Sequence, residues 1–253
     1  MKEDQNMIDR KRMSSMLKCV YLGGVIRECF LEIKKGKATV KAIDMSNSVI
    51  VSTNQKVSTN RKLSHDFGIG DIELLIKFLD SIEQKKLNLA EDSDGNRMVL
   101  SRKDGKRRLN YLLTEASLIA TRVDTIGDGT ETEEEALLDL AVTSALLTSS
   151  FIKDFLSYIS ALKTKEIIVT CKGKTVSFSC GDKTSHLLKI ELSNEAEKKA
   201  KVKIHVNGEY LSKILSTIEF EEDNPPKIML GDETLIIKTD SCFWAIEPLS
   251  EED

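Results

Sequence analysis

The stretch Leu75-Ile76-Lys77-Phe78-Leu79-Asp80-Ser81-Ile82-Glu83 returns as Leu211-Ser212-Lys213-Ile214-Leu215-Ser216-Thr217-Ile218-Glu219. Leu, Lys, Leu, Ile and Glu keep step at a constant offset of 136 positions (75 to 211). A second pair lies upstream. Met13, Met16, Leu17 and Val20 form one apolar stripe and Ile152, Phe155, Leu156 and Ile159 another, both at the spacing of one helix face. Two helices per half at matching intervals indicate an internal duplication. The repeat is of domain size, well beyond a solenoid unit of about 20 to 50 residues.

Around these helices the chain reads as short strands. A polar arm over residues 1–10 precedes a helix at 11–22, stopped by Gly23-Gly24. Strands follow at 30–33 and 38–43 around Lys35-Gly36-Lys37, then at 48–52 and 57–63. A helix at 71–82 is followed by strands at 87–90, 98–101 and 108–113. The second half repeats the plan: a helix at 150–162, strands at 166–171 and 175–180 around Lys172-Gly173-Lys174, and strands at 187–192 and 200–206. Asn207 then caps a helix at 209–219, and strands at 227–230, 235–238 and 242–246 close the chain. The stretch from Asp124 to Glu135 is acidic and glycine-bearing and reads as an exposed connector. The predicted class is therefore α+β: two duplicated domains, 1–123 and 138–253, joined by a connector at 124–137, each with two helices on antiparallel sheets.

With 253 residues, each half can bury a core of its own. A run of about 18 apolar residues, as a membrane helix needs, is absent. The start Met1-Lys2-Glu3-Asp4-Gln5-Asn6 lacks an apolar signal core, so an intracellular location is expected. Five scattered cysteines without a CxxC pair read as buried free thiols. His65, His186 and His205 lack metal-ligand spacing, and no phosphate loop, nucleophile elbow or HExxH helix occurs, so no cofactor, metal or enzyme activity is expected.

The net charge of −4 argues against a uniformly basic nucleic-acid glove but permits charges sorted onto separate faces. The helices suggest such sorting. Lys11, Ser14, Ser15 and Lys18 lie opposite the first stripe, Lys77 lies beside Glu73 and Asp80, and Lys153, Ser157 and Ser160 lie opposite the third helix's stripe. Ser212, Lys213, Ser216 and Thr217 occupy the same place on the fourth. Single lysines among short hydroxyls can touch phosphates without reading bases. Ordinary solvated helix faces carry the same residue types.

The duplicated halves, the acidic connector, the segment Ile43-Asp44-Met45-Ser46-Asn47-Ser48-Val49, Phe151 with Ser157-Tyr158-Ile159, and the ending Phe243-Trp244-Ala245-Ile246-Glu247-Pro248-Leu249 together resemble the DNA sliding clamp family. Its archetype is proliferating cell nuclear antigen, with archaeal and phage relatives. The resemblance runs from about residue 11 to 250 and rests on order and spacing rather than on one motif. It departs in the long N-terminal arm and in a connector without proline, whose apolar candidates are Ile126, Leu137 and Leu138.

The resemblance implies a ring of identical subunits, usually three, that encircles duplex DNA without sequence preference. The ring would serve as a replication processivity factor, tethering DNA polymerase and meeting a clamp loader through short peptides. The helix cations Lys11, Lys18, Lys77, Lys153 and Lys213 would face DNA. Leu109 and Tyr111 of one subunit would meet Leu187 and Lys189 of the next across paired strand edges, unless those strands are interior. Partner peptides would dock at Ile43, Asn47, Ile50, Ile126, Ala245, Ile246 and Pro248, of which Ile43 and Ile246 read equally well as core. The alternatives are a duplicated α+β interaction scaffold that does not bind DNA, or an enzyme with an unobvious site. Within the clamp class, a subunit of a hetero-trimer also remains open.

Overall fold

The computed structural model describes residues 6–34, 36–57, 65–123, 133–162, 164–181 and 187–249. The chain divides into two compact units, Met1–Asp44 with Val51–Thr125, and Met45–Ile50 with Ile126–Asp253. The short segment Met45–Ile50 thus belongs with the second unit, where the Glu247 N–H donates to the Ser48 carbonyl at 2.9 Å.

The first unit runs β1 (Asn6–Asp9), α1 (Arg10–Tyr21), β2 (Cys29–Lys34), β3 (Lys37–Ile43), β4 (Val49–Lys56), β5 (His65–Ile69), α2 (Ile72–Asp80), β6 (Lys86–Glu91), β7 (Arg97–Ser101), β8 (Arg108–Leu112) and α3 (Ala116–Val123). The second runs α4 (Glu133–Asp139), β9 (Thr143–Leu146), α5 (Ser149–Leu162), β10 (Glu166–Gly173), β11 (Thr175–Gly181), β12 (Leu187–Glu191), β13 (Ala200–Asn207), α6 (Gly208–Thr217), β14 (Lys227–Leu230), β15 (Leu235–Lys238) and β16 (Cys242–Ile246). From β1 to β8 and from β9 to β16 the two orders are the same. Pairing repeats too: β1–β6–β7–β8 answers to β9–β14–β15–β16, and β5–β2–β3–β4 to β13–β10–β11–β12. These pairs are antiparallel, both in the hairpins and between strands far apart in the chain such as β1 with β6 and β9 with β14. The α+β class and the duplication are as the sequence predicts.

Helix ends follow local chemistry. The Asp71 carboxylate accepts the Leu74 N–H at 2.9 Å, and at the equivalent place the Asn207 side chain accepts the Glu209 N–H at 2.9 Å. Each cap satisfies an amide that has no partner within its helix. The α1 helix ends in a left-handed Leu22 (φ 46°) followed by Gly23 (φ 60°) and Gly24 (φ 103°), where only glycine is unstrained. Gly68 serves contact rather than turning: a Cβ there would stand 2.2 Å from the Thr114 carbonyl oxygen.

Each core lies between helices and sheets. In the first unit Met16, Leu17, Val20, Leu75 and Leu79 of the two helices are buried with Leu31 and Val40. In the second, Phe151 and Phe155 of α5 meet Phe178 of β11 at ring-centroid distances of 4.8 and 5.5 Å. All five cysteines are free and buried.

Several expectations need correction. The supposed polar arm ends in a real strand: β1 pairs with β6 and buries Ile8. Two adjacent apolar residues, Met7 and Ile8, give no alternation to read, so its partner strand makes this element. The strand expected at 48–52 runs on to Lys56 as β4, while the strand expected at 57–63 falls almost wholly outside the described residues. Val57 lies outside any strand, residues 58–63 lie outside the described residues, and β5 lies further on, at His65–Ile69. Residues 133–137, expected as connector, form most of α4 (Glu133–Asp139), which Glu134 ties to Lys238 of β15 at 2.8 Å.

Candidate nucleic-acid and partner interfaces

On the first unit, α1 and α2 lie side by side. Exposed Lys11 and Arg12 begin the α1 face, and exposed Lys18 follows about two turns after Lys11. Lys18 forms a 2.8 Å ion pair with Asp80 of α2, and Lys77 pairs with Glu73 one turn before it. The Asp80 carboxyl is held below the usual carboxylate range by the Lys18 ammonium and by the Ser14 hydroxyl, which donates to it at 2.7 Å. Glu73 is likewise lowered, by Lys77 and by the Tyr21 hydroxyl. Ser14 is therefore buried between the helices rather than solvent-facing, because α2 packs on that side of α1.

On the second unit the helix face is closer to neutral. Exposed Lys153 has exposed Asp154 beside it, and half-buried Lys213 lies one turn from Glu209. The α6 hydroxyls point back to their own helix: Ser212 donates to the Glu209 carbonyl and Ser216 to the Lys213 carbonyl, at 2.9 and 2.8 Å. Their protons are engaged, leaving lone pairs that suit a phosphate poorly.

Among the described residues six strands pair on one side only, β1, β5, β8, β9, β12 and β13, and two of them are the strands expected at the subunit interface. β8 pairs with β7, and β12 with β11. On β8 the exposed side chains are Arg108, Asn110 and Leu112, the last 68% exposed, while Leu109 is half-buried. Tyr111 points inward. Its hydroxyl donates to the Asp71 carbonyl at 2.9 Å and accepts the Asp71 N–H at 2.6 Å, and burial pushes its pKa up to about 12. Tyr111 is thus an anchor for the start of α2 and not an exposed contact residue. On β12 Leu187 and Lys189 are exposed, and Lys189 pairs with Glu191 at 2.6 Å.

A third surface forms over β15 and β16. Ile236, Phe243 and Ala245 make a buried cluster, and Ile50, Leu137, Leu138 and Met229 pack on it while staying partly open to solvent. Side chains alternate along a strand, so Trp244 and Ile246 face the other way and are enclosed. Ile43 is buried as well, in the first unit. Exposed Asn47 adopts φ 60° in the turn beside Met45, which is 87% exposed. Pro248 is half-buried, and Ile126 lies outside the described residues.

No family model matches the chain. No curated protein matches it in sequence. Solved structures do match over nearly its whole length. Proliferating cell nuclear antigen from Entamoeba histolytica aligns with TM-score 0.72 at 12% identity, covering 97% of this chain and 98% of that one. A PCNA2–PCNA3 complex from Sulfolobus tokodaii aligns with TM-score 0.72 at 17% identity, covering 96% and 98%. The Helicobacter pylori beta clamp, solved with 3,4-difluorobenzamide, gives 0.72 at 10% identity, covering 97% of this chain and 65% of its own. This is the sliding-clamp fold.

Within this clamp fold, the expected residues fall into three groups. Lys11, Lys18 and Lys77 share the α1–α2 face of the first unit, and Lys153 and Lys213 lie on the helices of the second. Ile50 and Ala245 meet in one cluster, whereas Ile43, Ile246 and Tyr111 are interior and unavailable to a partner. The sequence reading missed Arg12 and Met45. An apolar residue inside the polar turn Asp44-Met45-Ser46-Asn47 was a usable signal for Met45. Among the described residues no helix is long and apolar enough to cross a membrane.

Proposed function

We propose that this chain is a sliding clamp, a non-enzymatic replication factor that closes into a ring of three copies around duplex DNA inside the cell. The observation that carries the reading is the whole-chain likeness to clamps in both repeats, with β8 and β12 each pairing on one side only. Joining β8 of one copy to β12 of the next is a head-to-tail contact, which makes a ring when the rotation closes. Lys11, Lys18, Lys77, Lys153 and Lys213 would meet phosphates loosely. Loose contact suits sliding, because encirclement rather than affinity holds the ring on DNA. Polymerase and loader peptides would dock at Met45, Asn47, Ile50, Leu137, Leu138 and Pro248, over Ala245.

The near-neutral helix face of the second unit favours the rival reading, an interaction scaffold that leaves DNA alone. Light scattering together with retention on nicked circular DNA separates the two. A clamp gives a trimer mass, stays on circles in high salt and runs off when they are cut. A monomer that never stays on closed circles sinks the clamp reading.

A further inference from the structure

The second unit concentrates positive charge away from its helices, on the opposite face of the sheet they cover. Val169 and Cys171 of β10 and Phe178 of β11 are buried toward α5 and α6, so Thr170, Lys172, Thr175 and Ser177 point the other way. The register places Lys172 opposite Lys201 and Thr170 opposite Lys203, with Thr175 and Ser177 opposite Lys172 and Thr170 on the far side. Nearby carboxylates are already engaged: Glu195 by Lys174 at 3.3 Å, Glu197 by Lys227 at 2.6 Å, and Glu166 by His205. Lys172, Lys201 and Lys203 are exposed and form no ion pair among the described residues, and exposed Lys199 leads into the same strand.

Like charges placed directly opposite on neighbouring strands destabilise a sheet. In a chain of net charge −4, this row is a local excess that a polyanion would relieve. We propose that this outer sheet face binds the phosphate backbone of a nucleic-acid duplex, without reading bases. Three exposed lysines beside the exposed Thr175 hydroxyl supply the backbone-contact inventory. The same rows carry exposed Thr175 and half-buried Thr170, the latter hydrogen-bonded to buried Ser177 at 2.8 Å, and provide neither an aromatic platform for single-stranded bases nor pockets for the side chains of an acidic peptide. This surface is separate from the helix face, and the inference stands whether or not the chain forms a ring.

The test is fluorescence anisotropy of the full chain with a short blunt linear duplex across a salt series. The comparison is Lys172→Gln/Lys201→Gln/Lys203→Gln against a helix-face variant, Lys11→Gln/Lys18→Gln. Removing one phosphate-binding lysine lowers the salt slope by about one unit. The sheet variant is therefore expected to lose about two to three units and to bind more weakly at every salt concentration. Its melting temperature should equal or exceed that of the parent, since repulsion is removed. Lys201→Gln alone should lower the slope by about one unit. Parental affinity and slope in the sheet variants overturn the proposal. So does displacement of bound poly-glutamate, but not duplex, by the three substitutions. A parent chain that does not stay on closed circles, while the sheet variant still loses about two to three units of salt slope, counts against the ring reading alone and supports the sheet-face site.

Discussion

Tyr111 and Asp80 show how single side chains carry more than their sequence context suggests. The Tyr111 hydroxyl closes two hydrogen bonds with the Asp71 backbone, at the residue that caps α2. Tyr111→Phe removes both bonds from a part-buried backbone group and should cost about 1 kcal/mol in denaturant unfolding, with the fold kept. Asp80 and Glu73 titrate below the usual carboxylate range because Lys18 and Lys77 stand beside them. A carboxylate whose pKa is lowered by folding stabilises the protein above the unfolded value, near pH 4, and loses that contribution as pH falls through the lowered value. Asp80→Asn should therefore lower stability at pH 7 and flatten its decline below pH 4. Since the Asp80 side chain is 44% exposed, solvent screening keeps the effect under about 1 kcal/mol. Urea titrations at pH 7, 4 and 3 would measure it, and identical acid limbs in the two proteins would refute the pairing's role. The sequence showed lysine beside acid on α2. It could not show that Lys18, 62 positions earlier, reaches Asp80, because that contact exists only once α1 packs on α2.

At the scale of elements, the four long helices were legible because their apolar stripes and caps are local. Asp71 and Asn207 sit at equivalent places and do equivalent work. Asp71→Ala and Asn207→Ala should each cost about 1 kcal/mol, read as a fall in denaturation midpoint with unchanged slope. β1, β5, β9, α3 and α4 were not legible. They are short, and each holds its form through a neighbour: β1 lies on β6, α3 against β2, β3 and β5, and α4 carries Leu137 and Leu138 onto Phe243 and Ala245. Leu137→Asp/Leu138→Asp should accordingly raise amide exchange across α4 by detaching it from β15 and β16, while β10 and β13 keep their protection.

For the molecule as a whole, the proposed ring makes the strand edges the sensitive points. Leu112 and Leu187, 68% and 58% exposed, stand on β8 and β12, two of the strands that pair on one side only. Leu112→Glu/Leu187→Glu should lower the trimer fraction in sedimentation velocity and leave the melting temperature of the dissociated chain within about 2 °C, since exposed substitutions usually act within about 0.5 kcal/mol. An undiminished trimer would remove β8 and β12 from the interface. The candidate docking site was only partly readable from sequence. Ile50 and Ala245 converge, but Ile43 and Ile246 proved interior, because apolar residues in strands look alike whichever face they occupy.

The sequence by itself determined the duplication, the α+β class, the helix faces and their caps, since these depend on periodicity and on chemistry within a few residues. Tertiary structure alone decided which strands are left with an unpaired side, that Ser14 and Tyr111 turn inward, and that Lys172, Lys201 and Lys203 share one surface. Those outcomes follow from pairing register and from packing between segments far apart in the chain, and a one-residue shift in register would send every such side chain to the other face.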